Sequence, residues 1–303
     1  MSSSTVTKPA SLQTWAIAAM PGLFVLLWST GFIGAKLGLP YAEPMTFLVL
    51  RFAIVTVLLC IFAGLSGAPW PRDWAMAGHI AVAGLLLHGV YLGGVFASIF
   101  HGVPAGISAL IVGIQPLLVA AAAGPVLGER VTARQWLGLG LGLSGVVLVV
   151  WTKLDIGVGT AWGYALSGIA LLGITTGTLY QKKSCPAIDL RSGTAIQFAA
   201  TTVALVPFAL LFETRQVQWS GEFLFALGWL CIVLSLGAIT LLFILIRRGA
   251  AARVSSLFFL VPPCTALVAY FLFGESLSAL ALVGMAATML GVALVNIAPK
   301  TNT

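Results

Sequence analysis

Charge is what this sequence lacks. Only 8% of its 303 residues are Asp, Glu, Lys or Arg, against 60% apolar, and acidic residues number just eight. Mean hydropathy is +1.08. A water-soluble domain of this length needs a charged surface, and too few charges are available to coat one. A soluble enzyme or soluble binding domain is thereby excluded. No two carboxylates share an apolar run, which excludes paired acid–base chemistry inside the spans. Cysteine is also sparse. Cys60, Cys185, Cys231 and Cys264 show neither paired nor metal-ligand spacing. Three of them, Cys60, Cys231 and Cys264, lie in apolar runs, where a free thiol packs as a small hydrophobe. There is no Walker loop, nucleophile elbow or HExxH. Neither a metal nor a cofactor is expected, catalysis is not expected, and any transport is gradient-driven rather than ATP-driven.

What is present is apolar length. A membrane-crossing helix needs ~20 mainly apolar residues. Such runs tile the chain at 15–35, 44–64, 74–97, 103–127, 136–151, 158–180, 193–212, 223–246, 254–273 and 277–297. The expected fold is all-α and integral to the membrane, with ten transmembrane helices. The fifth run is short and rich in glycine. Residues 1–14 read as a polar, disordered tail. The first run is too long for a signal-peptide core and lacks a small-residue cleavage pattern.

Fifteen Lys and Arg against eight acids give a net charge of +7, a balance that also occurs in nucleic-acid binders. The cations sit in the loops, which favours the membrane explanation. With the N-terminus in the cytoplasm, cytoplasmic segments carry Lys8, Arg72, Arg130, Arg134, Lys182, Lys183, Arg191, Arg247, Arg248, Arg253 and Lys300. The outer loops carry Lys36, Lys153 and Arg215. Eleven against three is a positive-inside bias with both termini cytoplasmic. The expected surroundings are a lipid bilayer, with no nucleic-acid partner.

An internal repeat carries the functional reading. A constant shift of 146 positions lays Gly31 on Gly177, Lys36 on Lys182, and Phe52-Ala53 on Phe198-Ala199. It also lays Pro116 on Pro262, Gly128-Glu129 on Gly274-Glu275, Gly138 on Gly284, and Gly145-Val146 on Gly291-Val292. The repeats span 15–152 and 157–298. Each holds five helices, an odd number, so the second copy enters the membrane from the opposite side. Inverted repeats are a hallmark of secondary transporters, whose two halves form inward-open and outward-open states around a central site.

These residues resemble the drug/metabolite transporter superfamily, in particular its ten-helix EamA-type exporters. The resemblance rests on Pro116…Gly128-Glu129 and Pro262…Gly274-Glu275, each followed by a Gly-rich helix, and covers roughly residues 21–297. The opening PGLFVLLWSTGFIGAKLGLPYAEPMTFLVLRF is similar to bacterial aromatic amino-acid and metabolite exporters. The resemblance implies a basket in the bacterial inner membrane, monomeric or weakly dimeric. Its cavity would be lined by helices 1, 3, 4, 6, 8 and 9, with 5 and 10 at one end.

Each candidate residue has a functional and an ordinary packing reading. Arg51 lies inside the second run, where an ion costs ~2.5–3.5 kcal/mol. It is either a structural arginine bonded to neighbouring groups or an anchor for a substrate carboxylate. His79 and His88 share helix 3, and histidine is the residue type that recurs in proton relays. Nine residues apart, they face opposite sides, so at most one readily faces a narrow cavity. Tyr91 shares the His88 face. Gln115, beside Pro116, offers hydrogen bonds at midplane or glues helices together. Pro262-Pro263 kinks helix 9, as a gating elbow or a static bend. Phe24 and Trp28 stand at i, i+4 as a substrate wall or as core. Trp229 is a further cavity candidate. Trp15, Trp74, Trp136, Trp151, Trp162 and Trp219 fall near run ends and read as interfacial anchors. Glu129 and Glu275 are expected to stabilise the N-terminus of the helix that follows each.

The substrate expected is a small neutral or zwitterionic metabolite such as an amino acid. Phosphorylated solutes would call for several buried cations, and only Arg51 is available. An intramembrane lipid-modifying enzyme would need polar residues clustered at one membrane face, and the sequence has none. Topology gives the first test. Reporter fusions after Arg72, Arg134, Arg191 and Arg253 should report cytoplasm, and fusions after Glu43, Lys153 and Arg215 the outer side. A consistent reversal, or an odd number of crossings, would overturn the inverted repeat.

Overall fold

The computed structural model describes residues 12–151, 159–273 and 277–297. The described residues form ten helices. The first half holds α1 (Leu12–Gly38), α2 (Pro44–Leu65), α3 (Trp74–Phe100), α4 (Ala105–Leu127) and α5 (Ala133–Trp151). The second half holds α6 (Ala161–Ser184), α7 (Leu190–Phe212), α8 (Gly221–Arg248), α9 and α10 (Ala279–Asn296). Helix α9 is built from three consecutive pieces, Ala251–Ser256, Leu257–Leu260 and Val261–Phe273. Nine described helices are long and apolar enough to cross a membrane. At 24 residues α6 has the length, but its hydroxyls, glycines and terminal Gln181-Lys182-Lys183 lower its hydropathy. Its Ser167, Thr175, Thr178 and Gln181 are buried in protein rather than facing lipid.

Several ends differ from the sequence reading. Residues 12–14, expected in the tail, already belong to α1; the rest of the tail, the junction at 152–158 and Gly274-Glu275 lie outside the described residues. Helix α6 runs on to Ser184, so Lys182 and Lys183 form its last turn, where cations complement the helix dipole. The Gly-rich α5 is an uninterrupted helix of 19 residues.

Regular hydrogen bonding is broken at matching places in the two halves. Helix α3 widens into a π turn at Leu85–Val90, and α8 does so at Leu230–Ala238. In both, the N–H after the wide turn reaches a carbonyl five residues back, Tyr91 to Leu86 and Ile239 to Leu234. Helix α4 stops after Val112 and restarts at Gln115, and α9 tightens into a 3-10 turn at Leu257–Leu260. Prolines explain the second pair. Pro116, Pro262 and Pro263 cannot donate to the carbonyls one turn earlier. The chain compensates with three-residue bonds, Ile114 to Ile111 and Val261 to Phe258.

Glycines set the closest packing. A Cβ on Gly138 would come within 2.6 Å of the Gly291 carbonyl, and one on Gly145 within 2.6 Å of the Gly284 carbonyl. Helices α5 and α10 therefore meet backbone to backbone, through the residues that the 146-residue shift pairs. Helices α2 and α7 also pack together, with Phe52 and Phe198 at 5.2 Å across the contact. Of the tryptophans read as anchors, Trp74, Trp136, Trp151, Trp162 and Trp219 are exposed; the Trp15 side chain lies outside the described residues.

Carboxylates close both ends of the bundle. At one end Glu213 accepts from the Met45 and Thr46 amides at 2.7 Å, capping α2, and Glu43 accepts from Thr214. At the other end Glu129 accepts from the Ala251 amide at 2.8 Å and pairs with Lys182 at 2.5 Å. Lys182 also donates to the Gly249 carbonyl. This corrects the sequence reading: Glu129 caps α9, not α5, the helix that follows it. The tip between α8 and α9 lies closer in space to the ends of α4 and α6 than its place in the chain implies. The neighbouring turn holds Asp189, which caps α7; the adjacent Arg191 guanidinium keeps its carboxyl below the ordinary carboxylate range.

Two outcomes follow. Gly145→Leu or Gly284→Leu should abolish folded yield by forcing α5 and α10 apart, whereas Gly140→Ala, with open space at its Cβ, should fold normally. Equal yields from all three would refute the backbone contact. Glu129→Ala should lower the unfolding midpoint in detergent by about 2–6 °C, since hydrogen bonds to charged groups contribute ~1.5–3 kcal/mol. Glu129→Gln keeps an acceptor and should lower it less. An unchanged midpoint in Glu129→Ala would remove the cap from the stability of the bundle.

Candidate functional site

The interior holds a narrow cavity of about 40 Å³ between α1, α2, α3 and α8. Its walls include Trp28, Gly31, Arg51, Tyr91, Phe96 and Ile239. A second void of about 10 Å³ adjoins it through Trp28, Tyr91, Leu92 and Ile239, and adds His88, Ile174 of α6 and Phe243. A water occupies roughly 30 Å³ of liquid, so the space seen is far below the ~300 Å³ of a ligand pocket. The basket is closed around its centre.

Arg51 is 3% exposed and lies at the cavity wall. Its Nε donates to the Ser235 hydroxyl at 3.1 Å, in the wide turn of α8. Its guanidinium carbon stands 5.6 Å from the Phe52 ring centre. Among the described residues no carboxylate pairs with it. His88 is buried beside it, stacked on Phe198 at 4.4 Å and 15°. By distance and angle neither ring nitrogen makes a hydrogen bond among the described residues, nor does Oε1 of Gln197, although that amide lies close enough to act on the imidazole. Gln197 otherwise donates to Gln181 at 2.7 Å. Tyr91 completes the group, with Trp28 and Arg51 as neighbours.

Two aromatic clusters seal the cavity. Phe24, Trp28 and Phe258 form a triangle with ring centres 5.2–5.4 Å apart. On the opposite side Phe47 contacts Phe96 at 5.7 Å and Phe223 at 5.3 Å. Phe258 stands on the 3-10 turn of α9, three residues before Val261 and four before the proline pair. Ser29 of α1 donates to the Val261 carbonyl at 3.3 Å, and Thr265 donates to the Ser29 carbonyl at 3.2 Å.

The sequence candidates divide cleanly. Trp28, Arg51, His88 and Tyr91 are brought together, with Phe24 behind Trp28. His79 is exposed at the other side of α3, bonded to the Tyr180 hydroxyl at 2.6 Å. Trp229 stands on the outside of α8, donating to Thr30 at 2.9 Å and stacked on Phe225. Gln115 is fully buried and donates to Ser255 at 3.3 Å, joining the broken helices α4 and α9 rather than lining this cavity. Pro116, Pro262 and Pro263 sit at the helix breaks. The cavity walls thus include α2, which the resemblance did not predict. Ser235, Ile239 and Phe258 were missed. The signal for Ser235 was available: it occupies the place of Gly89 in the other repeat, as Arg51 does that of Gln197.

Comparison with known proteins sets this geometry in a family. A protein of Escherichia coli named as the inner membrane transporter YedA is 25% identical over 275 residues, covering 90% of this chain and 88% of its own. A probable terminal-alkyne amino-acid exporter of Streptantibioticus cattleyicolor is 28% identical over 295 residues, covering 94% of each chain. A probable amino-acid metabolite efflux pump of Salmonella typhimurium is 24% identical over 278 residues, covering 89% and 91%. A crystal structure at 19% identity shares the fold with a TM-score of 0.76, over 93% of this chain and 97% of its own. The profile of the EamA-like transporter family matches twice, at 14–151 and 161–297. The chain belongs to the EamA-like transporter family.

Proposed function

We propose that this transporter exports small zwitterionic metabolites, amino acids foremost, across the bacterial inner membrane by alternating access. The observation that carries the reading is Arg51, a buried cation at the wall of an aromatic cavity, with no carboxylate of the protein paired to it among the described residues. Burying that charge is expensive, and a substrate carboxylate would offset the cost with a charge-assisted bond. Trp28, Tyr91 and Phe96 supply apolar walls for a side chain. His88 and Gln197 hold unpartnered polar atoms nearby for the rest of the solute. Two relatives named for amino-acid or amino-acid metabolite export support the same class. One cation does not balance a phosphate dianion, so sugar phosphates fit poorly.

The two five-helix halves act as inverted repeats, with both termini in the cytoplasm. The basic end, where Glu129 and Lys182 clamp the α8–α9 tip, is then the cytoplasmic end. With the Phe24–Trp28–Phe258 triangle on that side and Phe47–Phe96–Phe223 on the other, this form is an occluded one.

Proteoliposome uptake of pooled radiolabelled amino acids tests the reading. Arg51→Gln should lower transport of carboxylate-bearing solutes at least about tenfold while folded yield persists, and Arg51→Lys should retain part of it. Solutes lacking a carboxylate should lose no more than about twofold in Arg51→Gln. If Arg51→Gln transports amino acids normally, the guanidinium is structural and the carboxylate site is wrong.

A further inference from the structure

A wider concave space than the central cavity lies outside it. A groove of about 530 Å³ opens at the basic end between α1, α8, α9 and α10. Its floor is apolar, with Pro21, Leu245, Leu257 and Met289, and its mouth holds Arg248 and Arg253. Arg253 Nε is buried and has no acceptor among the described residues. The volume lies within the ~300–1,000 Å³ of small-molecule sites, which the central cavity does not.

One helix face connects the two spaces. On α1, Pro21 lines the groove, Phe24 and Trp28 belong to the aromatic triangle, and Gly31 and Ala35 line the cavity. Their spacing of three, four, three and four residues is one stripe of an α-helix. From Pro21 to Ala35 the stripe covers about 21 Å at 1.5 Å per residue. Helix α8 runs beside it in the opposite sense. Arg248 and Leu245 line the groove, Leu242 the small void, and Ile239 and Leu234 the cavity. Gly31 and Gly34 let α8 approach, since a Cβ on them would meet Leu234 at 3.3 Å and Leu230 at 2.8 Å. Between groove and cavity stands Phe258, carried on the 3-10 turn that the prolines impose on α9.

We infer that the groove is the access site for the carboxylate-bearing solute, and that the solute moves to Arg51 along the α1–α8 seam when Phe258 leaves Phe24 and Trp28. This rests on the export reading above. Arg248 and Arg253 complement the carboxylate at the mouth, and Arg51 receives it beyond the barrier. The seam between them holds no fixed charge, so a transient opening hands the carboxylate from the arginines at the mouth to Arg51 with no ionic stop between. The proline elbow supplies the movable element, because its backbone already lacks the regular bonds that would hold Phe258 rigidly.

The test uses full-length protein with Leu242→Cys as its sole cysteine, in membrane vesicles of known orientation, and a membrane-impermeant thiol reagent as probe. With Phe258 intact, Leu242→Cys should react slowly from the basic end. Phe258→Ala should raise that rate about tenfold or more, and Phe24→Ala should act in the same direction if Phe258→Ala fails to fold. Labelling that stays slow in both variants, or that comes from the opposite face, overturns the path. In transport, Arg248→Gln with Arg253→Gln should raise KM for amino acids about tenfold at unchanged maximal rate. If the pair instead only strips a co-purified anionic phospholipid, seen by native mass spectrometry, with KM unchanged, the groove is a lipid site and the inference fails. The labelling needs no substrate, so its failure alongside working amino-acid transport removes the path and leaves the exported class standing. Fast labelling in a protein that moves no amino acid does the reverse.

Discussion

A backbone inside hydrocarbon has no water to bond, so each amide and carbonyl must find its partner within the protein. That constraint decides where this fold is regular and where it is broken. The lipid-facing helices α2, α5, α7 and α10 run without interruption through the described residues. The broken ones, α3, α4, α8 and α9, have their wide, tight or missing turns in the interior. There the bonding is carried instead by shorter or longer turns, Ile114 to Ile111, Val261 to Phe258, Tyr91 to Leu86 and Ile239 to Leu234. Glycine then governs how near the intact helices come, and α5 with α10 approach as closely as their backbones permit. Rigid ribs and yielding elements are therefore separated by one rule of bonding.

The repeat adds a second constraint, that equivalent residues meet near a common axis. Phe52 and Phe198 do so with tilted rings 5.2 Å apart, and along α5 and α10 the repeat's glycines meet crosswise, Gly138 at Gly291 and Gly145 at Gly284. The polar groups proposed to meet the solute lie where the copies have diverged. Arg51 stands against Gln197, His88 against Leu234, and Ser235 against Gly89, and these differences gather the polar groups on one side of the aromatic core. A symmetric scaffold can open toward either face, but a solute with a carboxylate at one end needs an asymmetric site. Divergence at equivalent positions supplies that asymmetry without disturbing the frame.

Much of this was legible in the residues. Hydropathy runs located the helices, and the constant shift paired the prolines and glycines that the structure places at breaks and contacts. Trp28, Arg51, His88 and Tyr91 were recognisable because a charge, an imidazole or a large ring in an apolar run needs a reason. Other features depend on neighbours distant in sequence. His79 and Trp229 are as conspicuous as His88 and Trp28, yet each bonds a residue on the outer side of its helix, Tyr180 and Thr30. Glu129 could be seen to end a helix, but its partner Ala251 lies more than a hundred residues away. The wide turns left no mark in composition, because Leu85–Val90 and Leu230–Ala238 read as ordinary apolar helix.

The scarcity of charge that fixes the fold also limits what the interior can bind. A single guanidinium, reached through Ser235 from the widened part of α8, sits in a cavity otherwise lined by rings and aliphatic chains. Removing the solute's water must be repaid by direct contacts, since a desolvated ion without a partner is costly. One carboxylate against one guanidinium meets that condition, whereas a second solute charge would have to find compensation in the unpartnered nitrogens of His88 or the amide of Gln197. Those groups are short-range and directional, and they can accept from an ammonium or bond a hydroxyl but cannot balance a remote charge. The same weakness aids release. Under the proposed reading, a solute held by one ion pair and a few neutral bonds would leave once an aromatic barrier opened and water returned, which a transporter requires and a tight receptor does not.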